Sequence, residues 1–101
     1  ELDEDYKPAF AGVCNTLAVA AFSSGDFKTA LAHIQKALAM NANYAEAHNN
    51  AGLIYLQLGE PDKALGHLET ALRINPQFQQ ARQHLEATRR MLQQGPRDTE
   101  R

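Results

Sequence analysis

The chain has 101 residues, of which 44% are hydrophobic and 22% are charged, so it fits one small globular domain and is too apolar for a disordered segment. Its formal net charge of −2 gives no general attraction to nucleic acids or anionic membranes. Cys14 is the sole cysteine, which excludes an internal disulfide and a cysteine-based metal cage. The most apolar run, residues 9–22, is too short to span a bilayer, and no membrane insertion is expected.

An internal repeat is the strongest pattern in the sequence. The chain aligns with itself at an offset of 34 residues without a gap, so that Gly25 falls on Gly59 and Ala30 falls on Ala64. Two repeats result, residues 11–44 and 45–78. Periods of this length are typical of solenoids, in which successive units stack to bury a shared core.

Residues 1–10 precede the first repeat. Three of them lie one period before the end of that repeat: Tyr6, Pro8 and Phe10 align with Met40, Ala42 and Tyr44. We therefore expect residues 1–10 to be the tail of a preceding repeat and the chain to be a piece of a longer protein. The alternative is a short native leader that caps the first helix.

Each repeat is predicted to fold into a helical hairpin. In the second repeat, apolar residues at helical spacing predict helices over Ala45–Leu58 and Pro61–Ile74, with Gly59 in the turn between them. Pro76 ends the second helix because the residue before a proline avoids helical geometry. In the first repeat, Asp26 is the expected N-cap.

Small residues occupy fixed positions inside these helices. Glycine within a helix costs about 1 kcal/mol relative to alanine, so Gly52 requires a compensating contact. We expect Gly52, Ala64 and Ala71 to lie where the two helices of a hairpin approach closely. Gly66 has alanine as its counterpart and is expected to be exposed.

Residues 79–94 align with the first helix of a third repeat. Glu86 and Arg89 stand at inner-face positions where the second repeat has a glycine and a tyrosine. These charges would block a following helix, so a polar capping helix is predicted, as solenoids need for solubility. Residues 95–101 are expected to form a flexible tail.

The repeat resembles the tetratricopeptide repeat, whose signature is W-x2-L-G-x2-Y, then A-x3-F, then P. The second repeat carries in these positions His48, Ala51, Gly52, Tyr55, Ala64, Leu68 and Pro76. The first repeat carries Cys14, Leu17, Ala18, Ala21, Ala30, Ile34 and Ala42. The resemblance implies an all-α protein, an α-solenoid of antiparallel helical hairpins, here two repeats plus a C-terminal capping helix. It also implies a role in protein–protein interaction.

The candidate binding site lies on the first helices of the hairpins, which line the concave side of such solenoids. A stripe opposite the core combines amides, which can bond a peptide backbone, with apolar side chains that form a patch. The predicted groove for a peptide or partner protein consists of Asn15, Val19, Phe22, Asn49, Asn50, Leu53, Leu56, Gln83 and Arg90. The alternative is that this stripe packs against a neighbouring helix or another part of the protein.

Some tetratricopeptide proteins hold the carboxylates of a C-terminal chaperone peptide with a lysine, asparagines and a lysine–arginine pair in this groove. Only Asn50 matches that set here. Uncharged residues or a histidine take the other places: Asn15, Val19, Gln80 and His84. A clamp for chaperone tails is therefore not expected.

No catalytic residue, cofactor or metal site is expected in this segment. The sequence has no glycine-rich phosphate loop and no G-x-S-x-G elbow. His33 and His67 are equivalent positions one repeat apart, too far for a shared zinc ion, and His48 is expected to be half-buried. Cys14 falls in a packing position and is expected to be a buried, inert thiol. Nucleic-acid binding is not expected because the chain lacks a basic excess with interleaved aromatics.

Three kinds of interaction remain open. The first is an adaptor or scaffold module that binds its partner in the concave groove. The second is an accessory domain that presents polypeptide to a catalytic domain, as in some glycosyltransferases or hydroxylases. The third is self-association as a homodimer through the N-terminal end, where Ala11, Thr16 and Ala20 permit close approach and no polar cap is present.

Overall fold

The computed structural model of the chain describes residues 6–94, and within them it contains five helices and no strand. The helices are α1 (Tyr6–Ser23), α2 (Phe27–Met40), α3 (Ala45–Gln57), α4 (Pro61–Ile74) and α5 (Gln79–Gln94). Helices α1 and α2 pack as one hairpin, α3 and α4 as a second, and α5 packs on α4. The predicted all-α repeat solenoid is confirmed.

Helix α1 begins earlier than the repeat alignment suggests. Residues 6–10, assigned from the sequence to a leader, form its first turns. Residues 40–44 stand one repeat after residues 6–10, but there the helix ends at Met40 and the chain turns. In that turn the Asn41 side chain accepts a hydrogen bond from the Asn43 N–H. Lys7 and Ala9 stand in those two places in α1 and offer no such bond. Residues 1–5 and the expected tail 95–101 lie outside the described residues.

Local signals in the sequence set the ends of the hairpin helices. Gly25 and Gly59 end the turns with φ of 84° and 78°, a conformation that glycine adopts without steric cost. The Asp26 carboxylate caps α2 by accepting a hydrogen bond from the Thr29 N–H. Hydrogen bonding by the Thr29 side chain, and next by its backbone, lowers the pKa of that carboxyl. Pro61 opens α4, as expected.

Alanines dominate the core, and a few larger side chains fill the space between them. The fully buried large residues include Ile34, Ile54 and Leu68, one on each of three successive helices. Cys14 is buried and unpaired, as predicted. Ala11 was expected on an open N-terminal face, but it is fully buried in the first core cluster together with residues of α2 and α3.

Two glycines inside the second hairpin have opposite surroundings. A β-carbon added to Gly52 would lie 2.7 Å from Leu68 Cγ and 2.9 Å from Leu68 Cδ2, well inside van der Waals contact. The close approach predicted at Gly52 is therefore confirmed. Around Gly66 a β-carbon would meet nothing within 4 Å, and the residue is exposed, also as predicted.

These surroundings predict opposite effects for the same substitution at the two positions. Gly66→Ala should raise the free energy of unfolding by about 1 kcal/mol through helix propensity alone. Gly52→Ala gains the same propensity but forces Leu68 aside, and overpacking typically costs about 1–3 kcal/mol, so a net loss is expected. Urea unfolding followed by circular dichroism measures both. Equal stabilisation by the two substitutions would contradict a close helix contact at Gly52.

Candidate functional site

The first helices of the hairpins form the inner side of the molecule. Helix α3 contacts both α1 and α5, whereas α2 and α4 make no contact with each other within the described residues. A row of helices that approach more closely on one side curves toward that side. Helices α1, α3 and α5 therefore line the concave face.

Two hydrogen bonds connect these helices to one another. The Asn50 amide donates through Nδ2 to Asn15 Oδ1 at 2.8 Å, which joins α3 to α1. The His84 ring donates through Nδ1 to Asn49 Oδ1 at 3.0 Å, which joins α5 to α3. An amide oxygen only accepts, so the proton of the second bond belongs to the histidine. We call these two bonds the amide ladder.

The amide ladder changes the role of two predicted groove residues. Asn15 is only 8% exposed and Asn49 only 4%, and the amide oxygen of each accepts a hydrogen bond from the neighbouring helix. Gln83, the third amide of the predicted row, is exposed on α5. The structure thus uses the first two amides to hold the helices together. Their contact with a peptide backbone stays a prediction.

Apolar members of the predicted groove meet in one pocket between α1 and α3. Its volume is ≈ 130 Å³, and its lining consists of Ala18, Val19, Phe22, Asn50, Leu53 and Ile54. Val19 remains 45% exposed at this site. Phe22 is held by an edge-on contact with Phe27, their ring centres 5.2 Å apart. Apart from the Asn50 amide, the pocket offers a partner only apolar surface.

The other predicted groove residues lie elsewhere on the concave helices. Leu56 is half-buried on α3, and Gln83 and Arg90 are exposed on α5; none of them lines the pocket. Sequence reasoning assigned Ala18 to the core and did not single out His84 as a hydrogen-bond donor. A comparison at an offset of 35 residues would have found His84, because it stands to Asn49 as Asn50 stands to Asn15.

Larger but more open depressions lie beside Val13 on α1 and beside His67 on α4 in the described part of the chain. Within it, no three histidine, cysteine, aspartate or glutamate side chains lie close enough together to hold a metal ion. None of its helices is long and apolar enough to cross a membrane.

The family model described as tetratricopeptide repeat matches residues 15–77, more than half of the chain. The chain therefore belongs to the tetratricopeptide repeat family. Fold and family together are those of a protein-interaction module. No curated protein matches the chain.

Several solved structures share this fold. The first TPR of Spaghetti (RPAP3), bound to the HSP90 peptide SRMEEVD, superposes with a TM-score of 0.79 at 23% identity, covering 81% of this chain and 65% of that one. Two structures of MamA superpose with TM-scores of 0.77 and 0.76 at 33% and 32% identity, covering 87% and 88% of this chain. The chain spans 50% and 48% of the MamA chains.

The amide ladder predicts a measurable coupling between Asn15 and Asn50. Each single change to alanine removes the hydrogen bond, and the double change should cost less than the sum of the two by about 1 kcal/mol. Urea unfolding of the three variants gives this coupling free energy. Gln83→Ala serves as the control and should change stability by less than about 0.5 kcal/mol, since its side chain is exposed. A coupling of zero would mean that the bond does not join α1 to α3 in solution.

Proposed function

We propose that this chain binds an extended peptide segment of a partner protein along its concave face, with one apolar side chain of the peptide in the pocket between α1 and α3. The observation that carries the proposal is the pocket itself, an apolar depression on the inner face of an interaction module. Exposed apolar surface of this kind often marks a docking site.

The size of the pocket favours a single side chain over a free small molecule. Its ≈ 130 Å³ is well below the roughly 300–1,000 Å³ of pockets that enclose a cofactor or drug-sized ligand. The polar group at its edge is the Asn50 amide. The amide ladder uses one N–H of that amide, which leaves its second N–H and its oxygen for the backbone of a bound peptide.

The uncharged side chains that line the pocket favour an uncharged recognition segment over an acidic one. The solved Spaghetti repeat was bound to a peptide with two glutamates and an aspartate, SRMEEVD. In this chain the positions that hold such carboxylates in clamp-type relatives are uncharged or occupied by a histidine. Asn15 and His84 are also engaged in the amide ladder. We therefore propose a ligand with a neutral, apolar recognition segment.

A second surface supports self-association as a further candidate function. Phe10, Val13 and Leu17 lie at helical spacing on one face of α1 and are 41%, 53% and 46% exposed. One repeat later, Ala47 and Ala51 occupy the places of Val13 and Leu17 and are buried against the preceding hairpin. Helix α1 thus exposes, with larger side chains, the face that in α3 is buried against the preceding hairpin. A second copy of the chain is the proposed occupant.

Peptide binding is tested by Val19→Asp, which places a charge in the apolar pocket at a position exposed enough to tolerate it. A displayed library of random peptides is first selected against the unchanged protein. The selected peptides are then synthesised, and their affinity for the unchanged protein and for the variant is measured by fluorescence polarisation. We expect apolar residues to be enriched and the affinity to fall more than about tenfold in the variant, since an unpaired charge would be desolvated there.

The peptide experiment has two controls. Val13→Asp lies on the other side of α1 and should leave peptide affinity unchanged. The peptide SRMEEVD should bind no more tightly than a scrambled peptide. Equal affinity for the Val19→Asp variant would show that the pocket is the wrong site, and tight binding of SRMEEVD would contradict the proposed preference for a neutral ligand.

Self-association is tested by sedimentation over a concentration series. The unchanged protein should show a reversible monomer–dimer equilibrium, and Val13→Asp should shift it to monomer because a buried unpaired charge opposes the interface. Val19→Asp should have no effect on this equilibrium. A protein that stays monomeric at all concentrations would contradict the second candidate and leave the first intact.

A further inference from the structure

Two histidines from different helices of the second hairpin meet ring to ring. His48 on α3 and His67 on α4 have their Nδ1 atoms 3.0 Å apart. Their ring centres are 5.3 Å apart, which equals the distance between the nitrogens plus the two ring radii. The two Nδ1 atoms therefore point at each other along one line. This geometry suits a proton between them, whereas a shared metal ion needs lone pairs that converge on a point to one side.

The backbone determines which ring carries which proton. His48 Nε2 lies 2.9 Å from the carbonyl oxygen of Ala42, and that oxygen can only accept, so Nε2 carries a proton. The Nδ1 of a neutral His48 is then an acceptor. His67 must supply the proton between the rings from its own Nδ1, which leaves the Nε2 of a neutral His67 without one.

The two rings can bind one proton beyond those of the neutral pair without losing their hydrogen bond, but they cannot bind two. A first proton adds to His67 Nε2 and leaves the bond between the rings in place, because the proton between them can move to His48, which then carries the positive charge. A second would have to occupy His48 Nδ1, where it would meet the His67 N–H across 3.0 Å with a positive charge on each ring. Burial of the His67 ring, and next the charge of His48, lower the pKa of His67.

We propose that His48 and His67 form a proton-sensitive clasp, which holds α4 against α3 while the pair carries at most one additional proton and opens when both rings are charged. The closed clasp links three parts of the chain: the turn between the repeats through Ala42, α3 through His48, and α4 through His67. It also seats the His67 ring on Tyr55, whose ring lies parallel within 12° at 5.5 Å.

The charged groups around the clasp do not neutralise it. Lys63 lines the same surface depression as the two rings, lies 5.6 Å from the centre of the Tyr55 ring and pairs with Glu60 at 2.9 Å, so it offers the pair no negative charge. From the side of α5, Arg89 pairs with Glu69, which is two residues from His67 and thus on another face of α4. The other charged side chains of the clasp's own helices, Glu46 on α3 and Asp62 and Arg73 on α4, are exposed. On the neighbouring helices Lys28, Lys36, Glu86 and Arg90 are exposed, and Arg82 donates to the carbonyl oxygen of Pro76.

The first repeat provides a natural comparison. His33 is the counterpart of His67, and Cys14 is the counterpart of His48. Cys14 is buried and free, so the first hairpin has no second imidazole to share a proton. The clasp belongs to the second repeat alone, and His33 serves as a half-buried histidine without a clasp.

The direction of the pH effect follows from the lowered pKa of His67. The unfolded chain binds a proton at this residue near the ordinary value of 6.5, and the folded chain does so only at lower pH. The stabilisation is complete above pH 6.5 and is lost as the pH falls through the folded pKa. His84, whose pKa is also lowered by burial, adds a loss of the same sign. Part of the acid sensitivity is therefore expected to remain when the clasp is removed.

The test compares the acid sensitivity of three proteins by thermal unfolding between about pH 7.5 and about pH 5. The unchanged protein and His33→Gln should lose the same number of degrees in Tm on acidification, and His67→Gln should lose clearly fewer. If His67→Gln retains the full acid sensitivity, the clasp is not the sensor. If His33→Gln reduces it as much, the effect is general to half-buried histidines and the proposal is overturned.

A second measurement on the unchanged protein does not depend on the stability of a variant. Nitrogen NMR of the imidazole side chains reports which ring nitrogen carries the proton. At neutral pH we expect His48 protonated on Nε2 and His67 on Nδ1. A His67 protonated on Nε2 alone at neutral pH would show that the two rings do not share a proton.

Discussion

The contact between Leu68 and the bare backbone of Gly52 sets the spacing of the second hairpin. A β-carbon at Gly52 would fall 2.7 Å from Leu68 Cγ, so the two helices can lie at their observed separation only because the side chain is missing. The rings of His48 and His67 reach from the same two helices across the same gap. Their 3.0 Å separation depends on that spacing, since a hydrogen bond weakens within a few tenths of an ångström.

Helix α3 transmits this spacing to the concave face. It contacts α4 through Gly52, and it takes part in both bonds of the amide ladder, donating from Asn50 and accepting at Asn49. One wall of the apolar pocket, formed by Leu53 and Ile54, lies on the same helix. The proposed binding surface is therefore built on a helix that is held by its neighbours on both sides. A rigid element of this kind reduces the ordering cost of binding a peptide.

Sequence reasoning succeeded where a signal is local and failed where it depends on the relative rotation of two helices. The bounds of α4 and α5 agree with those predicted, and Pro61 and Pro76 mark those of α4 within the chain. Helical periodicity also placed the apolar residues of the pocket on one stripe. The burial of Asn15 and the meeting of His48 with His67 were missed, since neither follows from the period of one helix. Both require the packing offset between neighbouring helices, which is defined only in the folded protein.

The amide ladder runs along the inner edge of a curved rod, and this placement bears on how the molecule responds to force. Straightening the rod separates the inner helices first, so the bonds at 2.8 and 3.0 Å are loaded before the alanine contacts between α2 and α3. Hydrogen bonds lose their strength over a short extension, whereas apolar contacts yield more gradually. The solenoid should therefore resist small extensions strongly and larger extensions less strongly. Thr16, which stands one repeat before Asn50, donates instead to the carbonyl oxygen of Gly12 in its own helix.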